Sequence, residues 1–302
     1  MKTEHDEIAA RQRPNNKTKK WFINGMKLLQ SQKLHPKKIG DFGAGKGEAL
    51  ELLQETFPSA ECWGFDYANT NLQTLKDKKI HNKYINFDEI NKLTFTELAE
   101  HQGTFDLIVS FATIEHIFDT DAFFELANFL LKENGRLLIS TPNLDAYQMK
   151  FFYFVKGYPY DEGHHIRFFT FRRLNAYAFL NGFTPNDEAS YFYYGISPIQ
   201  KSLRCLSRNI AAAISILLFC PAFLSEKIGL WPKATKGDLL VLFQKTKLTS
   251  IGYSQMNFTK KWSKLSSQEK NDWKNIIKQP DGAYLRKNKD TFRLMKHVQN
   301  MD

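Results

Sequence analysis

The chain has 302 residues and a net charge of +10, is 42% hydrophobic and contains three cysteines. This length and apolar content allow a full α/β core with some chain left over. An odd number of scattered cysteines favours a reducing compartment over a disulfide framework. Residues 247–302 hold twelve Lys and Arg against five Asp and Glu. Because most of the charge lies there, the rest of the chain lacks the basic character of a nucleic-acid-binding domain.

The N-terminal residues are polar and charged. Residues 1–13 contain no apolar segment of the kind that directs export, so the sequence predicts a cytoplasmic protein. Residues 1–16 are expected to be disordered or loosely packed. Residues 18–32 carry apolar side chains at helical spacing, which predicts a helix against the edge of a sheet. We therefore assign residues 1–36 to an N-terminal segment and helix.

A short, mostly apolar run ends at Asp41 and leads into three glycines at alternating positions, Gly43, Gly45 and Gly47. An amphipathic pattern opens at Ala49. This order predicts a strand, a tight turn and a helix start, arranged so that a ligand can approach bare backbone. The dinucleotide-binding fingerprint would require a third glycine at the position of Glu48. A carboxylate there would repel a pyrophosphate but tolerate a cationic ligand.

Further strands follow in the order of a parallel α/β sheet. Residues 61–66 form a short strand ending in Asp66, whose carboxylate can accept both hydroxyls of a ribose. Residues 84–88 predict a third strand, and the apolar residues 105–111 predict a buried fourth strand followed by Glu115 and His116. Later elements are predicted as a helix at 121–132, a strand at 136–140, a helix at 170–181, and strands near 188–193 and at 238–243.

This series of motifs resembles the class I S-adenosylmethionine-dependent methyltransferases, and Glu115-His116 is similar to the signature that ubiquinone-pathway O-methyltransferases carry after strand four. The resemblance covers about residues 37–247 and implies an α/β, Rossmann-like, doubly wound seven-stranded sheet with S-adenosyl-L-methionine as cofactor. In such enzymes the residue matching Asp88 bonds the adenine amino group, and that matching Phe87 packs near the ring. The cofactor-binding residues implied are Asp41, Phe42, Gly43, Ala44, Gly45, Gly47, Asp66, Tyr67, Phe87, Asp88, Ser110 and Phe111.

Two histidines are candidates for the base that deprotonates a methyl acceptor. His116 follows strand four, at the sheet edge where ligands bind in this architecture. His165 lies in a segment that resembles the family's His-x-Arg-x-(Phe/Tyr)-(Ser/Thr) signature. Each has a structural alternative, His116 as a cap on the next helix and His165 as an anchor for a lid. In the resembled O-methyltransferases an acid three residues before the glutamate completes a metal site. Ala112 stands there, so the sequence predicts no metal.

About residues 195–236 form an insertion before the last strand. Its uncharged run at 210–224 is shorter than the roughly 20 residues of a spanning helix and contains Pro221, which argues against spanning. A helix that roofs the active site, an interfacial element at 201–233 that reaches a lipid-linked acceptor, and a dimer contact all stay open. The basic extension at 248–302 is either a solvated appendage or a contact for a partner or the inner face of a membrane.

The sequence thus predicts a methyltransferase that acts on a hydroxyl of a small molecule or of a glycan or lipid-linked intermediate. The Asn/Asp-Pro-Pro-aromatic motif of base-amino methylation does not follow strand four. No cysteine stands where cytosine methylation needs its nucleophile, so DNA is not an expected partner. Two alternatives remain, a protein or RNA methyltransferase docking through its basic tail and a cofactor-binding protein without turnover.

Overall fold

The computed structural model describes residues 20–146, 149, 165–191 and 237–246. Its strands are β1 (Lys38–Phe42), β2 (Glu61–Asp66), β3 (His81–Tyr84), β4 (Phe105–Phe111), β5 (Leu131–Thr141), β6 (Phe183–Tyr191) and β7 (Asp238–Lys245). They form one sheet in the order β3-β2-β1-β4-β5-β7-β6. β1 to β5 are parallel, and β7 runs antiparallel between β5 and β6. The carboxyl ends of the parallel strands therefore meet at one edge.

Helices cover both faces of this sheet. They are α1 (Lys20–Ser31), α2 (Glu48–Thr56), α3 (Asn69–Asp77), α4 (Lys92–Glu97), α5 (Thr120–Leu130) and α6 (Phe171–Leu180). Side chains of α1, α2 and α3 pack on one face and those of α5 and α6 on the other. In β5, Leu138 faces the first layer while Leu137 and Ile139 face the second. Burial on both faces explains why the central strands are almost continuously apolar.

The third strand lies earlier than the sequence predicted. β3 occupies His81–Tyr84 and pairs only with β2, whereas residues 85–88 form the loop that follows. An edge strand has one neighbour and partly exposed side chains, so it needs no apolar run. Ile85 and Phe87 are instead buried from the loop, at 4% and 3% exposure. Their burial, rather than a strand, accounts for the apolar pattern.

Two further element boundaries differ from those that the sequence predicts. α5 ends at Leu130 and β5 begins at once, at Leu131, where the sequence predicted helix to 132 and strand from 136. The turn-forming residues Asn134, with a φ of 61°, and Gly135 produce a register irregularity within β5 and do not separate the helix from the strand. β6 spans Phe183–Tyr191, because its pairing with β7 extends along Asp238–Lys245.

The insertion at about 195–236 and the extension at 248–302 lie outside the described residues, as do residues 1–19. The expectations for these segments, including membrane contact through 201–233, stay predictions. Among the helices in the described ranges, none combines the length and the apolar character that crossing a bilayer requires.

The aromatic core beneath the sheet gives a stability prediction. Phe123 of α5 is fully buried and makes edge contacts with Phe42 at 5.4 Å and Phe124 at 5.6 Å between ring centroids. Replacing Phe123 with Ala is expected to lower the free energy of unfolding by about 3 to 5 kcal/mol, because it leaves a cavity among these rings. The same replacement at Phe118, which is 65% exposed, is the matched control and should cost under about 1 kcal/mol. Urea unfolding measures both, and equal losses would contradict this packing.

Candidate active site at the carboxyl edge of the sheet

The turn after β1 is held against β2 by backbone hydrogen bonds. The carbonyl of Phe65 accepts from the N–H of Gly43 at 2.8 Å and of Ala44 at 3.1 Å. Gly43 has a φ of 78°, and a Cβ there would collide with the side chain of Thr113. Gly45 also has a positive φ, of 55°, but a Cβ on it would meet nothing within 4 Å. The turn is thus packed tightly on one side and open on the other, as a ligand-binding loop requires.

Asp66, at the end of β2, fixes the open part of this turn. Its Oδ2 accepts from the N–H of Gly45 at 2.8 Å, and its Oδ1 accepts from the N–H of Ala68 at 2.8 Å and from Asn71 Nδ2 at 3.2 Å. Burial raises the pKa of Asp66, and these hydrogen bonds, with one from the Tyr67 N–H, oppose the rise. The carboxylate is therefore held in one orientation next to the loop.

Asp41 of β1 lies beside Asp66, and no cationic side chain of the described residues offsets its charge. Its side chain is 2% exposed, and its Oδ1 is buried without a hydrogen-bond partner. Burial raises the pKa of Asp41 well above its usual value, and the negative charges of Asp66 and Glu48 raise it further. A buried carboxylate of this kind is stabilised by a cation placed against it.

These features fit S-adenosylmethionine. The cofactor carries a sulfonium and an ammonium group, which match the acidic surroundings of Asp41, and ribose hydroxyls, which match a carboxylate at the end of β2. It has no phosphate for Glu48 to repel. The open side of Gly45 leaves room for its approach. Of the predicted cofactor residues, the structure brings the turn from Asp41 to Gly47 together with Asp66 and Tyr67.

Four of the predicted cofactor residues, one of them in this turn, have side chains that point into the core. Phe42 packs on Phe65, Phe87 and Phe123 under one face of the sheet. Phe111 packs against Phe22 of α1 under the other face, with ring centroids 5.1 Å apart. The Ser110 hydroxyl is fully buried and donates to the carbonyl of Phe42 at 3.1 Å. Phe42, Phe87, Ser110 and Phe111 therefore support the site from below, and their side chains do not face the cleft.

Asp88 lies in the loop after β3 and is exposed. Its Oδ1 accepts from the N–H of Phe118 at 2.7 Å. This bond ties the loop predicted to border the adenine to the segment that follows Glu115 and His116. One carboxylate oxygen is thus engaged with protein backbone, and a hydrogen bond to an adenine amino group would use the other.

Glu115, His116 and His165 form a cluster in which their ligand atoms all lie within 4.8 Å of one another. The rings of His116 and His165 are 5.0 Å apart. The Glu115 side chain is 1% exposed, and its Oε2 accepts from Thr141 Oγ1, at the end of β5, at 2.9 Å. Burial raises the pKa of Glu115 to about 8, and the charge of Asp238 adds to the rise. The structure thus joins both predicted histidines in one site.

Arg167 ties the segment that carries His165 to the chain that follows Glu115 and His116. Its Nε donates to the carbonyl of Ile117 at 3.0 Å, and its Nη2 donates to that of Phe118. The capping alternative for His116 does not hold, because Asp119 caps α5 by accepting from the N–H of Ala122 at 2.9 Å. Glu115 and Arg167 were not among the predicted site residues. Both lie inside recognisable motifs, Glu115 in Glu115-His116 and Arg167 in the His-x-Arg-x-(Phe/Tyr)-(Ser/Thr) segment. These motifs could have identified them as site residues.

The family assignment agrees with this geometry. Residues 11–187 match the family described as "Methyltransferase domain". The chain belongs to this methyltransferase family. The class I S-adenosylmethionine-dependent methyltransferase domain, its fold and its cofactor, which the sequence predicted, are thereby confirmed.

Similar proteins include an uncharacterized protein of Rickettsia prowazekii, 30% identical over 128 residues that cover 40% of this chain and 49% of the relative. A ubiquinone biosynthesis O-methyltransferase of Pelagibacter ubique is 30% identical over 123 residues, covering 40% and 49%. The chain thus spans about half the length of these curated relatives. A chain from the complex of the Haloferax volcanii Trm112 methyltransferase activator has the same fold, with a TM-score of 0.53, 14% identity, and coverage of 82% of this chain and 99% of its own.

The buried side chain of Asp41 gives a prediction for the ligand-free protein. The raised pKa of Asp41 favours its protonated form, so its contribution to stability is present at acid pH and is lost as the pH rises through the folded-state pKa. Asp41→Asn is therefore expected to stabilise the ligand-free protein at pH 7 by on the order of 1 kcal/mol. The gain should shrink as the pH falls toward the usual pKa of an aspartate, because the carboxyl group is then protonated in the unfolded state as well as in the folded state.

The matched control is Asp106→Asn. Burial acts to raise the pKa of Asp106, but hydrogen bonds from Lys132 Nζ and from the N–H groups of Lys38 and Lys37 keep it below its usual value. Its stabilisation is present at neutral pH and is lost as the pH falls through the lowered folded-state pKa, so this substitution should destabilise at pH 7. Thermal melts from pH 4 to pH 8 measure both variants. The same sign for the two at pH 7 would contradict the burial described for Asp41.

Proposed function

We propose that the methyltransferase moves a methyl group from S-adenosylmethionine to a hydroxyl, on a small molecule or on a glycan or lipid-linked intermediate. The observation that carries this proposal is the cluster of Glu115, His116 and His165 at the same sheet edge as the cofactor turn. Thr113, two residues before Glu115, packs against Gly43 of that turn. The groups that act on an acceptor therefore lie close to the expected cofactor.

The residues of this edge account for the steps of such a transfer. The bound cofactor supplies an electrophilic methyl group with a neutral thioether as leaving group. Asp41 and Asp66 would hold and orient the cofactor, and such alignment can lower the barrier by on the order of several kcal/mol. The acceptor hydroxyl must lose its proton as its oxygen bonds to the methyl carbon. Glu115, His116 and His165 are placed to promote that loss, an effect of about 10² to 10⁴ in rate.

The relatives support a hydroxyl acceptor. The Pelagibacter ubique protein and a second relative, from Bartonella tribocorum and 26% identical over 162 residues, are both named ubiquinone biosynthesis O-methyltransferase. The matched segments cover only 49% and 64% of those proteins, so the acceptor molecule is not carried over. The protein or RNA alternative depends on the extension at 248–302, which lies outside the described residues, and no observation favours it.

Cofactor binding is tested by calorimetry with S-adenosylmethionine and S-adenosylhomocysteine. Asp66→Ala should abolish binding of both, because it removes the ribose acceptor and the bond that shapes Gly45. Asp77→Ala, an exposed acid on the neighbouring helix α3, is the matched control and should leave affinity within about 2-fold. Wild-type protein that binds neither compound would overturn the proposed function.

Hydroxyl transfer is tested by S-adenosylhomocysteine formation with three acceptor probes, a catechol, a sugar alcohol and a primary alkyl amine. Turnover is expected with a hydroxyl probe and not with the amine, and His165→Ala should lower it by about 10² to 10⁴. The catechol with both hydroxyls already methylated is the matched control substrate and should be inert. Turnover confined to the amine would contradict a hydroxyl acceptor.

A further inference from the structure

The Glu115–His116–His165 cluster joins two chain segments that are fixed to each other. Glu115 and His116 lie on a short 3₁₀ turn, Ile114–His116, after β4. His165 comes from a different segment, whose following N–H groups, of Ile166 and Arg167, both donate to the carbonyl of Glu115 at 3.1 Å. The two imidazoles and the carboxylate are therefore brought together by backbone bonds before any ligand binds.

The carboxylate of this cluster is held and desolvated. Thr141 donates to Oε2, whereas Oε1 is buried without a hydrogen-bond partner. The charged group that affects its pKa is Asp238, which is also negative, and no cationic side chain of the described residues contributes. A carboxyl group buried in this way either stays protonated or ionises beside a cation or a metal ion. The position of Glu115 therefore suits a positively charged ligand.

We propose that Glu115, His116 and His165 together bind a divalent transition-metal cation such as Zn²⁺, Fe²⁺ or Co²⁺. Imidazole nitrogens favour these ions, whereas Mg²⁺ prefers an all-oxygen set. Donors on one tetrahedral cation lie about 3.4 Å apart, since metal–ligand bonds are about 2.1 Å long. The ligand atoms of the three groups lie within 4.8 Å of one another and would have to approach by at most about 1.4 Å. His116 is the exposed member of the three.

This donor set differs from the one implied by the resemblance to ubiquinone-pathway O-methyltransferases. There an acid three residues before the glutamate completes the site, and here Ala112 has no side chain that can ligate. His165 supplies the third donor from a separate segment and makes the set richer in nitrogen. Thr141, which bonds the carboxylate, acts as the outer partner that orients a ligand. The sequence-based prediction of no metal rests only on the missing acid at position 112.

A cation at this position would deepen the function proposed above, on which its catalytic role rests. Divalent cations stabilise the ionised form of a nearby hydroxyl at neutral pH. The cation, held by Glu115, His116 and His165, would stabilise the acceptor oxygen in its deprotonated form, and the proton would pass to solvent water. The histidines would then act as ligands and not as bases. Cation binding itself can be measured without turnover.

The test is titration of the full chain with Co²⁺, followed by visible absorption, with cofactor binding measured on the same samples by calorimetry. Wild-type protein should bind one Co²⁺ with new absorption bands. Glu115→Gln and His165→Ala should each weaken Co²⁺ binding by more than about 10-fold, and Thr141→Val by about 10- to 100-fold. His81→Ala, at the opposite edge of the sheet, is the matched histidine control and should have no effect.

Calorimetry separates the two proposals. Variants that still bind S-adenosylmethionine but have lost Co²⁺ support the metal site and show that the domain is folded. Wild-type protein that binds the cofactor without Co²⁺, or Co²⁺ binding that survives in His165→Ala, overturns the metal site and leaves the histidines as bases. Failure to bind the cofactor at all refutes the proposed function, whatever Co²⁺ does.

Discussion

The site depends on how the chain leaves β1. Because the carbonyl of Phe65 accepts from two successive N–H groups, those of Gly43 and Ala44, the turn is fixed to β2. Those two hydrogen bonds bring Gly45 close to Asp66, and the carboxylate of Asp66 in turn accepts from the N–H of Gly45. Loop and acid hold each other in place, so the cofactor meets a prepared surface. Preparation of this kind avoids the entropy cost of ordering a loop on binding.

The same edge concentrates buried carboxyl groups. Asp41, Asp66 and Glu115 all have raised pKa values, and desolvation is the largest cause in each case. A fold selected for stability alone would place apolar or paired groups there. Perturbed carboxyls gathered in one cleft are instead typical of functional sites. A cationic ligand that binds the folded protein at this edge would raise its stability by mass action.

Much of this architecture could be read from the sequence, for identifiable reasons. β2 and β4 were predicted to the residue, because buried parallel strands must be apolar and the acid at the end of β2 marks a boundary. β3 was misplaced because an edge strand has no such requirement, and the apolar side chains that suggested it are buried from a loop. The extent of β6 followed from its pairing with β7, a contact that local pattern does not reveal.

The site was predicted less completely than the fold. The glycine turn and Asp66 were identifiable because their chemistry requires particular residue types at particular spacings. Sequence could not separate residues whose side chains face the cleft from those that support it, which is why Phe42, Ser110 and Phe111 were included. The meeting of His116 with His165 joins positions 49 residues apart in the chain. The contact between the two histidines depends on hydrogen bonds made by Arg167 and by the Glu115 carbonyl. These bonds join distant parts of the chain, so the sequence pattern does not predict them.

Glu115 couples the position of the segment that carries His165 to ligand binding at the cluster. Its carbonyl anchors the segment that carries His165, while its side chain belongs to the same cluster as that histidine. Any molecule that binds more tightly when the segment is docked also favours the assembled cluster. By thermodynamic reciprocity, a ligand of the cluster must raise the affinity for that molecule by the same factor. Acceptor recognition and activation would then be energetically linked through a single residue.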